Sequence, residues 1–498
     1  MTIFFNDGKS KYILIHTDND QDWQELINCC DGYLSKSAYR QLYDYLEIDT
    51  KTIILEKSYF DRDYRDTYHN FFSRKFANYP STAYRVNFFS ERVSPDSLYS
   101  LDSFQDSYIG FTVIRPNRIN PIGRTILNPD KLSKIRGYTC LSEHVVHILG
   151  AELKIKGFPY MSQDTDVTVC AHAACWMVFR YFSQRYSRYA EVWPFEVTQL
   201  TKNVSKGRLV PSKGLTAEQV TEMFSRFGFY PEIYIRETMD DQAFYRCLYK
   251  YIESGLPVVA GLTNHSHAIT LFGHISNFTK KDIETPGSSD QYLDAYIIND
   301  DNYMPYQAMG ESGFAASEHL SKYVINDIDV FIVPLYEKIH LSAEHVMEIK
   351  DGLLTDHDIG INSQAKFLKY ENLITRTFLT SSKSYKKTRR QDDLPEGLSK
   401  IYCEMEMPKF IWVCELSTPE AFQNGEVYGE IIFDATANKY DVFSFLSIHY
   451  PGGFLLLNDR NYLTEDPNRF TLCQISERQK NEPEPYCCYI NNLKEAIS

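Results

Sequence analysis

The order of segments along the chain predicts an α+β fold, and three observations carry the prediction. Between about 151 and 335, three stretches with apolar residues at helical spacing come first. Three apolar strands, LPVVAGL, HAITLFGH and AYIIND, follow them, and helices before sheet is the α+β order. Beyond 336, PKFIWVCELS, GEVYGEIIFDATAN and FSFLSIHYPGGFLLL also read as strands. A chain of 498 residues exceeds a single core. Three regions are therefore expected: a mixed α/β N-terminal accessory region over 1–150, an α+β domain over 151–335, and a strand-rich C-terminal accessory region over 336–498.

In the first region KTIILEK and DSYIGFTVIRPN read as strands, the second ended by Pro116. PNRINPIGRTILNP reads as a loop with a short strand. The run Asp61, Arg62, Asp63, Arg65 and Asp66 reads as a solvated helical face with internal ion pairs. In the second region a helix follows Cys170, with Thr168 as its cap. A second helix lies in SKGLTAEQVTEMFSRFGF, between Thr216 as cap and Gly228 as stop, and a third in DDQAFYRCLYKYIESG ends at Gly255. His274 follows its strand and is expected to be exposed. In the third region SSKSYKKTRRQDD, basic then acidic, predicts an exposed loop near 380–397.

The formal charge of −14 argues against general affinity for nucleic acid or anionic membrane. No apolar run is long enough to span a bilayer, and MTIFFNDGKSKY lacks the pattern of a signal peptide. Eleven cysteines are scattered along the chain, an odd number, which fits reduced thiols in a cytoplasmic protein. No nucleotide-binding glycine loop or internal repeat is present, and no cofactor is called for.

The chemistry concentrates in MSQDTDVTVCAHAACWMVFRYF, residues 161–182. A cysteine in a first helical turn meets the positive end of the helix dipole and free N–H groups, which favour the thiolate a nucleophile needs. Cys175 lies a turn deeper among Trp176, Met177 and Phe179 and reads as core. A thiolate also needs a base and a group to orient it. His267 opens the regular strand of NHSHAITLFGH, with His265 on the same face as its alternate. Asn299 and Asp300 end the next strand and face opposite sides, so only one of them can reach the histidine. Gln163 precedes Cys170 by seven residues and could donate its amide to an oxyanion.

The order Gln163, Cys170, His267, Asp300 resembles the papain-like cysteine peptidase superfamily, and within it the bacterial branch of the bacteriocin-leader (double-glycine) peptidases. VCAHAACWMVFRYF, ESGLPVVAGL, HAITLFG and IIND carry the resemblance, which covers about 151–335. It implies a helix carrying the cysteine, packed on an antiparallel sheet carrying the histidine and the acid. It further implies Cys170 as nucleophile, His267 as general base, Asp300 as orienting acid and Gln163 as oxyanion donor. The chain departs from that branch at Ala171-His172, where the branch has Gly-Pro, and at Asp301, where it has Pro. Neither flank resembles a transporter.

The function expected is cleavage of a peptide or isopeptide bond, with a protein or peptide as substrate and the flanking regions free to recognise a partner protein. The same triad can deamidate a glutamine or transfer an acyl group, and a papain-like scaffold can bind without catalysis. A zinc site from Cys170, His172, Cys175, His265 and His267 is the remaining rival; its spacing matches no standard zinc pattern, so no metal is expected.

Overall fold

The computed structural model describes residues 2–3 and 11–496, apart from 118, 134–135, 281–282, 312–319, 356–369, 392–393, 395–396, 439–440, 442–443, 452, 458–469, 475–484 and 491–492. Residues 4–10 of the N-terminal segment read above, and four residues of the predicted 380–397 loop, lie outside the described residues. The fold is mixed α/β, built on several antiparallel sheets.

The first sheet is a six-stranded meander. It runs through β1 (Thr2–Ile3), β2 (Tyr12–His16), β3 (Thr52–Tyr59), β4 (Ala83–Phe89), β5 (Tyr108–Ile114) and β6 (Ile122–Leu127). The strands β4 and β5 are buried along their whole length, and the two polar residues of β4 are paired inside, Arg85 with Glu56 and Asn87 with the Ile54 carbonyl. Helices α1 (Asp20–Cys29) and α2 (Lys36–Leu46) connect β2 to β3, and α3 (Arg62–Asn70) follows β3. Strand β7 (Gly137–Thr139) leaves this region for the second sheet, and β8 (Ser142–Ile148) and β9 (Ala151–Gly157) form a separate hairpin.

The acidic run at 61–66 is not the solvated face that its composition suggests. Asp61 and Asp63 are buried, and Asp61 caps α3 by accepting from the Tyr64 N–H. Both carboxylates meet Arg124 of β6, and Asp63 also meets the buried Arg180. Charges of opposite sign on distant segments draw this helix inward, which a local reading of the run cannot see.

Next come α4 (Cys170–Arg185), α5 (Pro194–Gln199), α6 (Ala217–Phe227) and α7 (Asp241–Glu253). The capping box of Thr216 with Gln219 opens α6, and Gly228 ends it at φ 107°, a left-handed conformation that favours glycine. The sheet strands are β10 (Glu232–Ile235), β11 (Val258–Leu262), β12 (His267–Ser276), β13 (Gly287–Ser288), β14 (Leu293–Asn299), β15 (Gln307–Gly310) and β16 (Val330–Val333). The path is β10-β16-β11-β12-β14-β15, with β7 paired to the second half of β12. Helix α4 packs across β12, where the Thr270 hydroxyl donates to the Ala174 carbonyl at 3.2 Å. His274 lies inside β12 and is buried rather than exposed, its Nε2 2.6 Å from Glu253 at the end of α7.

The last region supplies α8 (Ala343–Thr355), β17 (Ile374–Ser381), α9 (Ser382–Arg389), α10 (Leu398–Glu404), β18 (Phe410–Ser417) and α11 (Pro419–Gln423). Strands β19 (Glu426–Val427), β20 (Gly429–Asp434), β21 (Phe445–Tyr450), β22 (Gly453–Leu457), β23 (Phe470–Gln474), β24 (Tyr486–Cys487) and β25 (Lys494–Ala496) complete the chain. The third sheet runs β13-β17-β18-β20-β21-β22-β23, so β13 ties it to the preceding region, and β25 returns to pair with β7. The predicted exposed loop is instead the helix α9 over much of its length. Ser381 caps it, Tyr385 and Arg389 are fully buried, and both meet Glu430. Among the described residues no helix is long and apolar enough to cross a membrane.

Candidate active site

The nucleophile candidate is set by the loop before it. Asp164, buried, accepts the N–H groups of Val167 and Thr168 through Oδ1 at 2.7 and 2.8 Å. The Thr168 hydroxyl takes the Asp164 N–H at 3.2 Å, so it does not cap the helix as the sequence suggested. The N-cap is Val169, in extended conformation, and its N–H donates to Nδ1 of His172 at 3.3 Å. Cys170 therefore stands at the first position of α4, half-buried, with a free thiol.

Strand β12 brings the histidine. A one-turn helix over Thr263–His265 and a left-handed Ser266 at φ 49° deliver His267 to the strand's first position. Its side chain is 7% exposed, and its Nε2 lies 2.9 Å from Oδ1 of the fully buried Asp300. Asp301 Oδ1 is 3.7 Å from the same nitrogen. Burial pulls the imidazole pKa down, but the hydrogen bond to Asp300, the neighbouring Cys170 thiol and the charges of both aspartates outweigh it. The result is a pKa of about 10, which makes the ring an imidazolium at neutral pH. With Nε2 engaged by Asp300, Nδ1 is the nitrogen left for the thiol.

Asp300 directly follows β14. Its Oδ1 accepts from His267 and from the N–H and Nδ2 of Asn302, at 3.0 and 3.2 Å for the latter two. Asn299, the alternate acid, points the other way, donating to the Pro159 carbonyl and accepting the Tyr306 N–H. His265, the alternate base, turns to Asp327 at 3.3 Å. Burial, then the neighbouring Asp300, pushes Asp301 up to about 7, against the opposing pull of His267 and of the Gln163 N–H.

Gln163 comes to the acid end of this cluster. Its backbone N–H donates to Asp301 Oδ2 and its Nε2 to Asn302 Oδ1, both at 3.3 Å. Among the described residues its hydrogen bonds go to these two and not to the thiol. Cys170, His267 and Asp300 are thus brought together, and Gln163 is joined to them through residues 301 and 302.

Asp164, Asp301 and Asn302 did not stand out in the sequence as site residues. The run Asp300-Asp301-Asn302 at the end of an apolar strand was the available signal for two of them. Tyr323 is a fourth addition, its ring 5.5 Å from that of His267.

The zinc set considered from the sequence does not assemble. His172 is buried with Nδ1 occupied, and burial lowers its pKa to about 4, while Cys175 is in the core with its thiol pKa pushed up by burial. Among the described residues, His267, Asp300 and Asp301 offer one ligand atom each within 4.8 Å of one another. A cation there would have to displace the 2.9 Å bond between His267 and Asp300. As it stands, the arrangement pairs a thiol at a helix N-terminus with a carboxylate-held imidazolium, which equips it for nucleophilic attack on a carbonyl. No protein-family model, no curated protein and no solved structure matches the chain.

Proposed function

We propose that the protein is a cysteine hydrolase that cleaves a peptide or isopeptide bond with a papain-like arrangement of Cys170, His267 and Asp300. The observation that carries this reading is the 2.9 Å contact between His267 and a fully buried Asp300, with Cys170 as a neighbour of the same imidazole. The thiolate sulfur attacks the carbonyl carbon, and the C=O electron pair moves to oxygen. Backbone N–H groups at the start of α4 and the Gln163 amide stabilise that oxyanion. His267 gives its proton to the leaving amine, then draws one from the water that clears the acyl-enzyme. Asp300 keeps the imidazole oriented and stabilises its charged form. The substrate is a protein or peptide, and the flanking regions supply surfaces for its recognition or for a partner protein.

Incubation with a proteome-derived peptide library, read by mass spectrometry, tests the reading. New peptide termini with the wild type and none with Cys170→Ala are expected. A mass gain of 1 Da at glutamine without new termini would identify a deamidase instead, and amine-linked products an acyl transferase. No Cys170-dependent change of any kind would leave a binding scaffold.

A further inference from the structure

Resting on the roles proposed above for Cys170, His267 and Gln163, we propose that Asn302 is a positioning residue that couples the acid of the triad to the oxyanion donor, and that the N-terminal region holds it in place. Every polar atom of Asn302 is engaged. Its N–H and Nδ2 both donate to Asp300 Oδ1, the oxygen that meets the imidazole. Its Oδ1 accepts from Gln163 Nε2. Its carbonyl accepts from Gln41 Nε2 of α2 at 3.2 Å.

These contacts act on both ends of the site. Three donors converge on one oxygen of Asp300 and fix which edge of the carboxylate faces His267. A glutamine amide carries two N–H groups, and Asn302 engages the amide through one of them, leaving the other to meet an oxyanion. Asp301 holds the Gln163 backbone N–H, so residues 301 and 302 grip Gln163 at main chain and side chain together.

The loop that carries them is anchored from outside the 151–335 region. The Tyr45 hydroxyl donates to the Pro305 carbonyl at 2.7 Å, next to the Gln41 contact. A polar cavity of about 210 Å³ lies where α2 meets this loop, bounded by Ser35, Gln41, Asn120, Ser162, Asp301 and Asn302. Asn302 itself is exposed, so its side chain is not part of the core and its truncation leaves packing intact.

The probe is N-acetylglycinal, a minimal peptide aldehyde. Its carbonyl carbon bonds to the Cys170 sulfur, and the displaced C=O electron pair forms an oxyanion that the donor must stabilise. Affinity is read as protection of Cys170 from iodoacetamide in the full chain. Gln163→Ala is expected to weaken the aldehyde by about tenfold or more, as loss of an oxyanion donor does. Asn302→Ala loses the Nδ2 donor but keeps the backbone N–H to Asp300; it is expected to weaken the aldehyde by about tenfold, with a distinctly smaller fall in the alkylation rate of Cys170 in the absence of aldehyde. The double variant is expected to bind no more weakly than Gln163→Ala alone, because the two residues act as one.

Additive losses or unchanged affinity in Asn302→Ala would overturn the coupling while leaving the nucleophile reading intact. Parallel loss of alkylation and aldehyde affinity in Asn302→Ala would make the residue a support of the triad only, which also overturns it. Failure of the aldehyde to protect Cys170 in the wild type is the separate signature of a failed nucleophile reading, and it removes the coupling with it.

Discussion

Two adjacent aspartates share one imidazole, and their environments set them apart. Asp300 makes the short contact to His267 and collects the donors of Asn302. Asp301 has Oδ1 without a hydrogen bond among the described residues, and burial, then the adjacent Asp300 carboxylate, hold its pKa at about 7. A carboxyl raised from its ordinary value of 3.8 favours folding below that value and loses its contribution as pH rises through 7. Asp301→Asn keeps an acceptor for the Gln163 N–H and removes the ionisation. It is predicted to raise stability at pH 8 relative to wild type, on the order of a few kcal/mol, and to lower or leave unchanged stability at pH 4. Urea unfolding at the two pH values checks this. Equal effects at both would show that Asp301 is ionised throughout. His267 has a slope of the same sign in a higher window: raised to about 10, it favours folding below its ordinary value of 6.5 and loses that contribution as pH rises through 10.

Helix α4 carries the nucleophile candidate at its first residue and a buried guanidinium ten residues on. Arg180 meets Asp63 of α3 at 2.5 Å and also Glu191, and it lies over the rings of Trp176 and Trp193. Removing one partner of a buried pair leaves the other uncompensated. Arg180→Met is predicted to cost about 3–5 kcal/mol, and adding Asp63→Asn should recover part of it. Denaturant midpoints of the single and double variants are the measurement. The elements themselves were readable in the sequence where signals are local. The capping box of Thr216, the stop at Gly228 and the strands LPVVAGL, HAITLFGH and AYIIND all stand near their expected places. What escaped was set by partners far along the chain. Asp61 and Asp63 are buried by Arg124 and Arg180, His274 by Glu253, and Arg389 by Glu415 and Glu430. Periodicity records which side of an element is apolar, and a charge buried against a distant opposite charge does not register in it. The same limit hid Asn302, whose significance lies in contacts with Gln41 and Gln163. Thr168 failed as a cap for a related reason, since Asp164 had already claimed its hydroxyl.

At the scale of the molecule, the region from 151 to 335 does not close its sheet by itself. Strand β7, from before it, pairs with β12, and β25, from the end of the chain, pairs with β7. The approach is close: a Cβ on Gly273 of β12 would stand 2.3 Å from the Tyr138 carbonyl oxygen, so only glycine lets β7 dock there. A buried charge chain reaches the third sheet in the same way, from His274 through Glu253 to Arg376 and Glu415. A fragment of residues 151–335 is therefore predicted to be unfolded or molten in isolation, while the full chain gives cooperative thermal unfolding. Near-UV circular dichroism of the fragment is the check, and a native-like spectrum would show that the flanks are dispensable to the fold.

The most direct test of the proposed chemistry needs no substrate. Limiting iodoacetamide at neutral pH, read cysteine by cysteine by mass spectrometry, should alkylate Cys170 ahead of the buried thiols and also ahead of the exposed Cys487. His267→Ala should erase the lead over Cys487, a drop of about tenfold or more if the imidazolium is what activates the sulfur. Equal reactivity of Cys170 and Cys487 in the wild type, or a Cys170 rate indifferent to His267, would contradict the thiolate–imidazolium pair and with it the hydrolase reading.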